Sequence, residues 1–265
     1  MPGYFDPPRP RVFGHRGAAG VAPENTLPSF ALALELGATY LELDVHGTRD
    51  GEVVVIHDPD LERTTNGHGP VREHTLAQLQ QFDAGYQFST GGAHFPYRGQ
   101  GVRISTLAAL LARFPGVKCN IEIKQEDPAI VDTVVRLIEN GGRQGDVLLA
   151  AEHDTIMAAI RKAVGDRIVT SFSTGDGIDF VNRLNTGFGD YHPIGRALQI
   201  PPRFGEIELI TADSVAAAHG FGLEIHVWTI NDRAEIDRLL ALGVDGIMSD
   251  LPGLARAAVD ARARR

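Results

Sequence analysis

The sequence predicts an α/β fold, a (β/α)8 TIM barrel, on three observations. Short apolar runs alternate with amphipathic stretches along nearly the whole chain, the rhythm of a parallel sheet covered by helices. Leaving out one hairpin strand, eight such β units each precede a helix, which is the count of a closed barrel. The polar residues that end the apolar runs gather at their carboxyl ends, the rim on which barrels carry their active sites. An open doubly wound sheet would instead place a dinucleotide-type glycine turn after its first strand. Gly14-His15-Arg16-Gly17-Ala18-Ala19-Gly20 lacks that spacing.

The elements follow in order. Val12-Phe13-Gly14 is a buried strand that delivers His15 and Arg16 to a turn. Pro23-Glu24-Asn25-Thr26 opens a helix that runs to about Leu36, with Gly37 as its stop. Residues 39–45 form the second strand, and Asp50-Gly51 is a hairpin turn into a strand at 53–57. The rhythm breaks across an insertion at about 50–105, whose glycine-rich stretch at 83–101 reads equally as a binding loop or as a solvated excursion. Helices at 107–114, 128–139, 155–164, 177–184, 212–220, 233–242 and 252–262 then alternate with strands at 117–124, 147–151, 167–171, 197–200, 223–229 and 246–249. We expect a single catalytic domain over 1–265.

Composition narrows the class. The 265 residues are 43% hydrophobic and 22% charged, ordinary values that argue against disorder or a membrane protein. No run approaches the roughly twenty apolar residues of a spanning helix, so no stable membrane insertion is expected. The Pro-rich start, Met1 to Arg11, has no secretory pattern. Cys119 is the single cysteine; it excludes an internal disulfide and fits a cytoplasmic location. The net charge of −9 comes without a lysine-rich stripe, which argues against a nucleic-acid partner. The arginines that cluster at the end, Arg256, Arg262, Arg264 and Arg265, suit the negative end of a last helix.

The chemistry lies in four strand ends. Glu42 and Asp44 leave the second strand on one side at period two, and Glu122 joins them from a later strand. Three carboxylates at one point raise one another's pKa unless a cation offsets them, and all-oxygen ligation suits Mg²⁺ or Ca²⁺ better than zinc. Their alternative is a structural network with Arg16 and Lys124. His15 and His57 share the end-of-strand placement and form a candidate acid/base pair, with His15 as base and His57 as acid. His46, His68, His74, His94, His192 and His219 read as surface or structural. Arg16 and Lys124 offer permanent charge for a phosphate. Trp228 either walls the pocket or caps the core. Glu152 and Gln199 complete the expected rim, Glu152 more simply as the cap of the next helix.

His15-Arg16-Gly17, Pro23-Glu24-Asn25-Thr26, Glu42-Leu43-Asp44-Val45, His57-Asp58, Glu122-Ile123-Lys124, Val227-Trp228-Thr229 and Gly243-Val244-Asp245-Gly246 together resemble the glycerophosphodiester phosphodiesterase family. The resemblance runs along nearly the whole chain in the family's order. It implies a TIM barrel with a small insertion after the second strand, Mg²⁺ or Ca²⁺ on Glu42, Asp44 and Glu122, and acid/base roles for His15 and His57. It further implies cleavage of a small-molecule glycerophosphodiester to sn-glycerol 3-phosphate and an alcohol such as choline or ethanolamine. One departure concerns the pocket wall. A Ser-Phe pair is expected after the fourth strand, where Ala150-Ala151-Glu152-His153 stands, and Ser171-Phe172 follows one strand later. Three rival readings remain: a phosphodiesterase acting on lysophospholipids, a sugar-phosphate isomerase or aldolase, and a barrel that binds a phosphate ester without turnover.

Overall fold

The computed structural model describes residues 3–264. In chain order its strands are β1 (Arg11–Gly14), β2 (Tyr40–Gly47), β3 (Val53–Val55), β4 (Lys118–Ile123), β5 (Val147–Ala150), β6 (Val169–Thr170), β7 (Ala197–Ile200), β8 (Arg203–Phe204), β9 (Ile207–Glu208), β10 (Glu224–Val227) and β11 (Gly246–Ser249). The α-helices are α1 (Leu27–Glu35), α2 (Leu76–Leu79), α3 (Leu107–Arg113), α4 (Val131–Asn140), α5 (Asp154–Val164), α6 (Thr174–Thr186), α7 (Ala212–Gly220), α8 (Arg233–Leu242) and α9 (Pro252–Ala263). The parallel strands run in the order β6-β5-β4-β2-β1-β11-β10-β7. Between the end strands, Phe172 N donates to Ala197 O and Arg196 N to Thr170 O, both at 2.9 Å, which closes the cylinder. This is the (β/α)8 barrel the alternation predicts, and β3 pairs antiparallel onto β2 through the hairpin at Gly51.

Local signals set the boundaries. Thr26 caps α1 by accepting from Ser29 N, and Gly37 takes φ +93° where the helix stops. Asp232 caps α8 and Gly243 ends it in the left-handed region. α6 begins at Thr174, three residues before the expected 177, because Ser173 and Asp176 form a reciprocal capping box that extends the first turn. The short hairpin of β8 and β9 and the single-turn α2 carry too little periodicity to be predicted.

Apolar residues fill three spaces. Helices α1, α3, α4 and α5 cover one side of the barrel through Phe30, Leu110, Val134 and Ile160, and α7, α8 and α9 cover the other through Val215, Leu239 and Ala258. The insertion has its own small core of Val54, Leu61, Val71, Leu79 and Ile104. Within it, the 83–101 stretch folds around Asp83, which accepts from Gly85 N and Gly99 N, and Arg98 stacks on Tyr86 and Phe95. The barrel interior holds Phe13, Tyr40, Leu148 and Met248, with Tyr4 closing it from below. The Pro-rich start therefore has a structural role, crossing the amino end of the barrel. Arg11, 1% exposed, anchors that end by pairing with both oxygens of Glu224 at 2.7 Å and donating to Tyr40 Oη and to the carbonyls of Phe5 and Pro7. Among the described residues no helix is long and apolar enough to cross a membrane.

Candidate active site

β2 carries Glu42 and Asp44 to the carboxyl end of the barrel with both side chains buried, and the parallel register sets Asp44 beside Glu122 on β4. One oxygen from each of the three carboxylates lies within 4.8 Å of the others. Burial and the charge of Asp44 push Glu42 up to about 7. Burial and Asp44 raise Glu122 too, against the opposing pull of Lys124. Burial also works against the charged form of Asp44, but Lys124, Arg16 and His57 outweigh it and hold that carboxyl below its usual value. Such a cluster, all oxygen and only partly compensated, fits a hard cation.

The surrounding cations come from β1 and β4. Lys124 Nζ sits 2.8 Å from Glu122 and 3.4 Å from Asp44. Arg16 lies 3.4 Å from Asp44 through Nε, while its backbone N–H donates to Glu42 Oε2 at 2.8 Å. Arg16 and Asn25 both take left-handed φ, +50° and +57°, a conformation that costs a non-glycine residue roughly 1–3 kcal/mol. Asn25 Nδ2 donates to Asp44 Oδ2 at 2.9 Å, and Asp44 N donates back to Asn25 Oδ1 at 3.3 Å. The strain is spent on aiming a backbone donor and an amide at the acids.

Both histidines stand at this rim, each with a carboxylate behind it. His15 Nδ1 is 2.7 Å from Asp250 Oδ1, and its Nε2 faces Glu42 at 4.0 Å. Burial favours neutral His15, yet Asp250 and Glu42 outweigh it and raise its pKa. His57 Nδ1 is 2.6 Å from Asp58 Oδ1. Asp58 is held down at about 2, since Arg63 and His57 outweigh its burial. Arg63 in turn grips Glu24, which also pairs with Arg16 at 3.0 Å.

All eight predicted site residues occupy the carboxyl-end side of the barrel, and seven of them form this one constellation. Trp228 follows β10 on the same side and is 41% exposed, so it does not cap the core. Two expectations are corrected, the rim placement of Gln199 and the capping role of Glu152. Gln199 turns into the barrel, where its Nε2 donates to Asn120 Oδ1 and meets His226 Nδ1. Glu152 does not cap α5, because His153 holds that position. Sequence reasoning missed Asn25, Asp58, Asp250, Glu24 and Arg63 as members of the site. Asp250 follows β11 and Asp58 follows His57 directly, so strand-end placement could have found both; Arg63 lies in an aperiodic loop and gives no such signal.

The family model of glycerophosphoryl diester phosphodiesterases matches residues 15–254, a span that begins at His15 and includes every group named above. The chain belongs to that family. Among glycerophosphoryl diester phosphodiesterases, the enzyme of Bacillus altitudinis is 32% identical over 92% of this chain and 96% of its own. A crystal structure of the glycerophosphodiester phosphodiesterase from Agrobacterium tumefaciens is 28% identical, with a TM-score of 0.75, covering 93% of this chain and 99% of that one. An Oleispira antarctica phosphodiesterase in complex with the product sn-glycerol-3-phosphate is 26% identical, with a TM-score of 0.72 over 95% and 97% of the two chains. Membership makes this chain an enzyme, a glycerophosphodiester phosphodiesterase acting on a small-molecule substrate.

Proposed function

We propose that the enzyme hydrolyses glycerophosphodiesters such as glycerophosphocholine and glycerophosphoethanolamine to sn-glycerol 3-phosphate and the free alcohol, with His15 and His57 as its acid/base pair. The observation that carries this reading is the matched wiring of the two imidazoles: each meets a carboxylate through Nδ1, which fixes the proton there and leaves Nε2 for the substrate. Glu42, Asp44 and Glu122 would hold one divalent cation, Mg²⁺ or Ca²⁺. When bound, the cation supplies Lewis acidity to a phosphoryl oxygen. Arg16 and Lys124 bind the remaining phosphate oxygens and offset the charge that grows on them. His15, whose proton affinity Asp250 and Glu42 raise, accepts the nucleophile's proton, and His57 donates to the departing alkoxide. The nucleophile is water or the glycerol 2-hydroxyl, the second passing through a cyclic phosphate. The buried thiol of Cys119, pushed up to about 12 by burial, suits a reducing cytoplasm.

The test is release of glycerol 3-phosphate from a panel of diesters, with and without Mg²⁺ or Ca²⁺, by the native enzyme and by His15→Ala and His57→Ala. Each substitution should cost roughly 10²- to 10⁴-fold in turnover while the melting curve stays in place; undiminished rates in either variant would remove that histidine from the mechanism. A second reading, a lysophospholipid substrate, is favoured by the exposed Phe204 and Ile207 of the β8–β9 hairpin and by Trp228, all on loops that leave the carboxyl ends of strands. Assay of a lysolipid beside glycerophosphocholine separates the two.

A further inference from the structure

The amino end of the barrel, opposite the acids, contains a cavity of about 760 Å³. That volume lies within the roughly 300–1,000 Å³ of ordinary small-molecule sites. Its walls are apolar where the Pro-rich start meets the barrel, through Phe5, Pro8, Leu223 and Val244. Its charges are unbalanced. The two carboxylates in the lining are already engaged: Glu224 by Arg11 and His226, and Asp245 by Arg9 at 2.7 Å, His219 at 2.8 Å and the N–H of Ile225 at 2.9 Å. Arg196, just before β7, and Arg262, in the last turn of α9, also line it. Among the described residues neither forms an ion pair, although the chain as a whole carries −9. The terminal arginines thus divide: Arg256 is used by Asp260 on its own helix, whereas Arg262 is turned to the cavity. Arg196 also stands 5.9 Å from the ring of Phe5, where a flat ligand would lie against both.

We propose that this cavity is a second binding site, separate from the catalytic rim, for an organic anion that joins a phosphate-like head to a flat apolar body. Arg196 and Arg262 take the head, because guanidinium groups offer paired donors to a tetrahedral anion. The proline and aliphatic walls take the body, whose desolvation adds to the binding of the head. Nothing in the hydrolysis uses these groups, which lie at the amino ends of the strands.

The test is calorimetric titration of the holoenzyme with 1-naphthylphosphonate, which carries no ester to cleave, beside inorganic phosphate. The expected result, with the catalytic rim occupied by saturating sn-glycerol 3-phosphate, is one further site that binds the phosphonate more tightly than phosphate and weakens at least tenfold in Arg196→Gln/Arg262→Gln, while glycerophosphocholine turnover by that variant is unchanged. Lys124→Met should leave the binding in place. Equal affinity in the native enzyme and the double variant would overturn the proposal. So would loss of binding in Lys124→Met, which would put the probe in the catalytic site, or phosphate binding as tight as the phosphonate, which would leave the apolar walls without a role.

Discussion

Arg63 and Glu24 meet in a two-pronged ion pair, with the two terminal guanidinium nitrogens each 2.7 Å from one carboxylate oxygen. The pair fastens the insertion to the β1–α1 loop and joins the groups behind His57 to those around Arg16. Replacing Arg63 with Met frees Asp58 and Glu24 together. Turnover should fall roughly 10- to 100-fold, the usual effect of losing the residue that orients a catalytic ligand. Lys at this position should restore only part, since it lacks the fork. Steady-state rates on glycerophosphocholine, with circular dichroism to confirm the fold, check this.

Asp250→Asn keeps the size of the side chain behind His15 but can offer its amide N–H to Nδ1, which reverses the tautomer. The expected result is a loss of kcat of roughly 10- to 100-fold with KM little changed. An unaltered kcat would show that Asp250 does not orient the imidazole.

Glu42 is pushed up to about 7, so a cation held by the three carboxylates would have to displace that proton at lower pH. Metal affinity should rise about tenfold per unit between pH 5 and 7 and level off above. The sign for stability is opposite in the stripped protein. A carboxyl raised from 4.5 to about 7 stabilises the fold when protonated, fully below 4.5, and that contribution is lost as pH rises through 7. The melting temperature of EDTA-treated enzyme should drop from pH 5 to 8, and added Mg²⁺ or Ca²⁺ should recover it most at the alkaline end.

At the barrel's other end, Arg11→Met leaves the partly buried Glu224 without its main partner. A broken buried pair costs roughly 3–5 kcal/mol, read as a lower urea midpoint, and Arg11→Met/Glu224→Gln should recover part of it. Glu224 is held at about 2 because Arg11 and His226 outweigh its burial. Its contribution is therefore present above 4.5 and lost as pH falls toward 2, so the native and Arg11→Met midpoints should converge on acidification.

The barrel was legible because a fully buried parallel strand must be an apolar run, and the few polar residues inside β1 and β2, such as Glu42 and Asp44, stand out against it. Glu42, Asp44 and Glu122 stood out for that reason: an acid inside an apolar strand is costly, and the fold brings the three within 4.8 Å of one another. The network behind the histidines was harder to read. Asp58, Arg63 and Asp250 sit on loops, where charged residues are ordinary, and only the fold brings Arg63 back across to Glu24. Gln199 misled because period two leaves open at which depth of a barrel a side chain stops.

In the closed sheet, β4, β2, β1 and β11 are consecutive neighbours, and they or the turns directly after them supply every acid, cation and imidazole of the candidate active site except those on the insertion next to β2. The remaining arc, β5, β6, β7 and β10, adds to it chiefly through Asn231 after β10, whose Nδ2 donates to Asp250 Oδ2 at 2.6 Å. Evolution could therefore exchange most loops of that arc while the half that carries the proposed acid/base pair and cation ligands stays untouched.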